Sequence, residues 1–201
     1  MKGKIGTLQL CMVAMAAVIN IVGANLALML KLPLLLDSMG TLIVGALLGP
    51  FYGMFPSLLS GILLGVTTDI YSLYFAPSGM LTGFMAGMIL KKKIAGKHWL
   101  PVETLFVCLP GAALSSMICV KLFGGVTSSI STIFVQLLGK TPLGLFAGAF
   151  AVQFVMEFFD RMIGILLAKG IIRALPQRMM ERLCPERRKE KEDGDSRRTL
   201  Q

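Results

Sequence analysis

Four polar side chains interrupt a long apolar run late in the chain: Gln153, Glu157, Asp160 and Arg161. Steps of four from 153 to 157, three from 157 to 160 and four from 157 to 161 set them on one side of a helix expected over 143–172. A charge inside a bilayer costs about 2.5–3.5 kcal/mol on insertion scales, so these residues need a purpose. Two purposes fit. Glu157 and Arg161, an i,i+4 pair, can neutralise each other on the inner face of a bundle. Alternatively the group forms a solute site or a charge relay. A second cluster is Asp69, Tyr71 and Tyr74, in a segment over 69–78 read as a polar, aromatic loop that also holds Phe75 and Pro77. Aromatic faces stack and a carboxylate orients, which suits a flat, polar ring compound. An aromatic belt at a membrane interface uses the same residues. Asn20 and Asn25 add hydrogen-bonding groups early in the chain. Asp37 reads as the cap of the helix that follows it, with Ser38 and Thr41 in the first turn.

Other chemistries find no support. Gly139-Lys140-Thr141 ends like a phosphate-binding loop, but Phe134 stands where the first glycine belongs and Pro142 where a helix should start. No HExxH or GxSxG pattern is present. The four cysteines form no CxxC pair and the single histidine, His98, lies among lysines, so no metal site is expected. The expectation is therefore no catalytic residue, no metal and no cofactor on this chain; if ATP powers the protein, a partner subunit hydrolyses it.

The elements that position these residues are apolar. The chain of 201 residues is 55% hydrophobic and 15% charged, against about a quarter charged in soluble domains. Residues 177–201 hold eight Lys/Arg and six of the eleven acids; that segment reads as a charged and largely disordered cytoplasmic tail. The other acids are Asp37, Asp69, Glu103, Glu157 and Asp160. Basic residues flank apolar spans, and no basic face exists outside the tail, so nucleic-acid binding is not expected. Six helices are expected over 8–30, 34–48, 51–66, 79–90, 100–122 and 143–172. The first reads as a retained helix rather than a signal peptide, because no A-x-A site with a polar mature start follows it. Gly49-Pro50 makes a tight turn, and a short apolar piece lies at 133–138. With both termini cytoplasmic, Lys2, Lys4, the 91–97 cluster, Lys169, Arg173 and the tail cations fall inside and only Lys31, Lys121 and Lys140 outside. The fold class is thus all-α: a six-helix, multi-pass transmembrane domain over 1–176 in a cell membrane.

Small residues recur on single helix faces. Gly53, Ser57, Gly61 and Gly65 are each four apart, as are Gly79, Gly83 and Gly87. Ala16, Asn20 and Ala24 share a face of the first helix. Such stripes let backbones approach closely in lipid. They pack helices within the chain, or they dock another membrane subunit.

Three segments carry a family resemblance: Asn20-Ile21-Val22-Gly23-Ala24-Asn25, then Leu32-Pro33-Leu34-Leu35-Leu36-Asp37-Ser38-Met39-Gly40-Thr41, then Leu48-Gly49-Pro50-Phe51-Tyr52-Gly53. Together with Glu157–Arg161 and Leu175-Pro176, they make residues 10–176 resemble the substrate-binding S components of energy-coupling factor (ECF) transporters. The resemblance implies six helices with cytoplasmic ends. It also implies a vitamin or similar micronutrient bound near the outer face, and docking onto a membrane T component with two ATPases. On that plan Asp69, Tyr71, Tyr74 and Gln153 contact the solute, with Glu157, Asp160 and Arg161 deeper. Gly53, Ser57, Gly61 and Gly65, with Ala16, Asn20 and Ala24, face the T component. The family's small-residue spacing on the first helix is broken here by Asn20. A standalone secondary transporter, or a membrane sensor or scaffold that moves nothing, are the other readings of the same residues.

Overall fold

The computed structural model describes residues 6–30, 36–93, 100–127, 131–139 and 144–174. The tail over 177–201, the 94–97 part of the basic cluster, and residues 31–35 lie outside the described residues. Seven helices form: α1 (Thr7–Met29), α2 (Met39–Leu48), α3 (Pro50–Thr67), α4 (Ile70–Lys93), α5 (Leu100–Phe123), α6 (Ser131–Gly139) and α7 (Gly144–Ala174). There is no strand among the described residues. Four of the helices, α1, α3, α4 and α5, are long and apolar enough to cross a membrane. Their outward residues are mostly apolar, as lipid requires; Met15 is 67% exposed and Val66 79%. The charged set on α7 lowers its hydropathy, although its 31 residues reach about 46 Å.

The short α2 sits in the middle. Its ten residues span only about 15 Å, and eight of them are buried. It touches α1, α3, α4 and α7, which explains why it is apolar on every side. Gly49 ends it with φ +98°, a conformation open to glycine alone. Pro50 then opens α3 at the position where a missing N–H costs nothing. This is the expected Gly49-Pro50 turn.

The polar loop expected over 69–78 is instead the first part of α4. Asp69 closes the turn, accepting the Tyr71 N–H and the Ser72 hydroxyl, both at 3.3 Å. Pro77 lies inside the helix. Proline removes one backbone bond, and helices in apolar surroundings tolerate it where neighbours re-satisfy the freed carbonyl. The short piece at 133–138 becomes α6, which packs on α7.

The small-residue stripes hold α3 against α4. A methyl group on Gly53 would stand 2.6 Å from the Gly83 carbonyl oxygen, and one on Gly61 would stand 2.6 Å from Ala76 Cβ. A methyl on Gly65 would meet Leu73, and one on Gly87 would meet the Pro50 backbone. The stripe is therefore used for packing within the chain, one of the two uses open from sequence. The α1 stripe is also turned inward: Ala16, Asn20 and Ala24 are all buried. Asn20 accepts the Gly40 N–H at 2.8 Å and donates to Thr41 Oγ1 at 2.8 Å. Thr41 shares a proton with Ser57 Oγ at 2.8 Å, so a buried polar chain links α1, α2 and α3. Docking through these seven residues would require the chain's own helices to part.

Candidate functional site

The charged residues of α7 face the bundle because α7 packs on α5 and α2 with that side. Gln153, Glu157, Asp160 and Arg161 are all buried. Asp160 and Arg161 meet the entry to α2. Asp160 Oδ1 accepts the Leu36 N–H at 3.0 Å, and its Oδ2 accepts the Ser38 hydroxyl at 2.9 Å. Arg161 Nη1 donates to Asp160 Oδ2 and to Ser38 Oγ, each at 2.6 Å. Glu157 Oε1 accepts the Ser115 hydroxyl from α5 at 2.6 Å. Its other oxygen lies 3.5 Å from Arg161 Nη2. The expected Glu157–Arg161 pair thus exists, but the shorter contact is Asp160–Arg161. Sequence spacing alone found the Glu157 pair and missed the shorter Asp160 contact, because groups outside the helix, Ser38 and Ser115, bond these side chains.

Asp37 does not cap α2; no side-chain cap bond is made there. It lies 3.9 Å from Arg161 Nη1 instead. Leu36, whose φ is +46°, leads into the turn at 37–38 that holds Asp37 near α7.

These groups border an open cleft with about 970 Å³ of empty space when its mouth is counted. Asp37, Glu157, Asp160 and Arg161 line it, as do Asp69, Tyr71, Thr127 and Ser131. Six of the seven residues expected to touch a solute line it: Asp69, Tyr71, Gln153, Glu157, Asp160 and Arg161. Tyr74 does not. Its ring packs on Phe123, centroids 5.3 Å apart, and Tyr71 packs on the same ring at 4.7 Å. Residues 71 and 74 share a side of α4 and both rings meet Phe123, but only Tyr71 reaches the cavity, while Tyr74 lies 46% exposed beside it. On an irregular loop both could have pointed inward.

The hydroxyls were missed. Ser57, Ser60, Ser78 and Ser115 line the cavity, Ser57 having been assigned to docking. Buried serines on helices otherwise rich in leucine were the available signal. A further buried pair, Lys169 on α7 with Glu103 on α5, lies outside the cavity. Among the described residues, three buried side-chain atoms lack a hydrogen-bond partner: Glu103 Oε1, Glu157 Oε2 and Arg161 Nε. Two of these belong to residues of the cavity wall.

The arrangement can bind and orient a polar molecule. No cluster of three metal-ligating side chains forms among the described residues. The chain matches no protein-family model, no curated protein and no solved structure, so what it does must be read from the residues around this cavity.

Proposed function

We propose that the chain is a solute-binding membrane subunit of the S-component kind, not an enzyme. In this reading it holds a vitamin-like molecule and delivers it inward after docking on a T component with two ATPases. One observation carries the proposal: a cavity bordered by serines and charged groups lies within a bundle whose exterior is largely apolar. A structural ion pair alone would need no such space. The reading counts six crossings, with α2 and the residues before it as one and α7 as the last. Both termini lie in the cytoplasm by the placement of lysine and arginine. The resemblance over 20–53 supports the same plan.

The test is mass spectrometry of small molecules carried through purification from the host membrane, together with the proteins that co-purify. The expected result is one retained organic solute and two ATPases with a second membrane protein. Uptake by the chain alone that follows a proton gradient would replace this reading with a secondary transporter. A retained solute with no uptake under any condition would indicate a sensor.

A further inference from the structure

We infer that the cavity takes a small organic cation bearing N–H donors, not an anion. The inference rests on the solute-binding reading and names the substrate class for the same site.

The charge count comes first. Four carboxylates, on Asp37, Asp69, Glu157 and Asp160, line the cavity against one guanidinium, Arg161. That guanidinium is already committed. Its Nη1 is spent on Asp160 and Ser38 at 2.6 Å, and its Nη2 stands 3.5 Å from Glu157. An incoming anion would find this guanidinium, the one cation lining the cavity among the described residues, engaged and three further carboxylates nearby.

Proton direction is the second, independent point. A serine hydroxyl has one proton to give and two lone pairs to offer. Ser78 donates to the Gly111 carbonyl at 3.0 Å, and Ser60 donates to the Ser57 carbonyl at 3.3 Å. Ser115 donates to Glu157 at 2.6 Å, and Ser72 donates to Asp69 at 3.3 Å. With those protons turned toward the protein, the four hydroxyls offer mainly acceptors to the cavity. A wall of acceptors and carboxylates is satisfied by a ligand rich in donors.

The third point is Glu157 Oε2. It is a buried carboxylate oxygen on a side chain only 7% exposed, and it has no hydrogen-bond partner. Such an atom is costly unless something donates to it. Arg161 Nη2 stands 3.5 Å away and makes no hydrogen bond to it, so a ligand N–H supplies the missing donor.

The test uses three flat molecules of nearly equal size: benzamidine, benzamide and benzoate. Binding to the purified full-length chain in detergent is measured by calorimetry, with wild type and Glu157→Gln side by side. The variant keeps the side-chain volume, and its helical melting curve verifies folding. The expected order is benzamidine tightest, benzamide about tenfold weaker and benzoate weakest, with the benzamidine advantage lost in Glu157→Gln. Benzoate binding as well as benzamidine, or an unchanged preference in a folded Glu157→Gln, overturns the cation assignment while leaving a solute site in place. If none of the three binds and no solute is retained through purification, both the assignment and the solute-binding reading fall.

Discussion

The α3–α4 contact and the α5–α7 wall are built from small residues used in opposite ways. Between α3 and α4, Gly53 and Gly83 bring backbones together until no side chain fits. Across the cavity, Ser115 and Glu157 join α5 to α7 through a hydrogen bond and leave open volume beside it. The first region gains dispersion from close approach; the second holds space open with groups that need partners. A hydrogen atom at a helix contact closes the gap, whereas a hydroxyl holds it apart and makes it polar. The first region should therefore respond to added volume, and the second to lost charge or lost hydrogen bonds.

The largest effect is expected where volume meets backbone. Gly83→Leu forces a side chain into the Gly53 carbonyl, and thermal melting in detergent should show no cooperative folded state. Gly61→Leu, against Ala76, should lose folding stability and solute binding together. Loss of uptake with binding intact would instead place Gly61 on a docking face and break the comparison. Next comes Arg161→Met, which strips the cation from Asp160 and Glu157 and should cost about 3–5 kcal/mol in unfolding measurements. Lys169→Met leaves Glu103 unpaired but at a partly exposed lysine, so about 2 kcal/mol is expected. The smallest stability change should follow Ser78→Ala, about 1 kcal/mol for one hydrogen bond. Tyr74→Leu should leave solute affinity unchanged, while Tyr71→Leu lowers it.

The helices were legible because apolar length is a long-range average that single residues barely disturb. The turn at Gly49-Pro50 was legible because two adjacent residues with fixed backbone preferences determine it. The shared face of Glu157 and Arg161 follows from helical periodicity alone. What could not be read is contact between distant positions. Asp160 meets Leu36 and Ser38 across more than 120 residues, and no local rule couples them. The same distance hid the true position of Asp37. The 69–78 segment misled because its aromatics and Pro77 lower hydropathy, while the helix there is held by packing of Gly61 and Gly65 on Ala76 and Leu73. The role of the glycine stripe was undecidable from one strand of evidence, since spacing names a face and not the neighbour it meets.

The turn at Leu36 has a consequence for evolution of the binding site. A leucine in the left-handed region is held at a cost of about 1–3 kcal/mol, and the bond from its N–H to Asp160 helps to retain it. Backbone that leaves the helix at membrane depth survives only where protein groups satisfy it. Asp160 is thus fastened to the architecture, whereas Asp37, 44% exposed and 3.9 Å from Arg161, is freer to drift. On the proposed solute-binding reading, a descendant protein could exchange one solute for another by altering Asp37 while keeping Asp160, because removal of Asp160 would untie the start of α2.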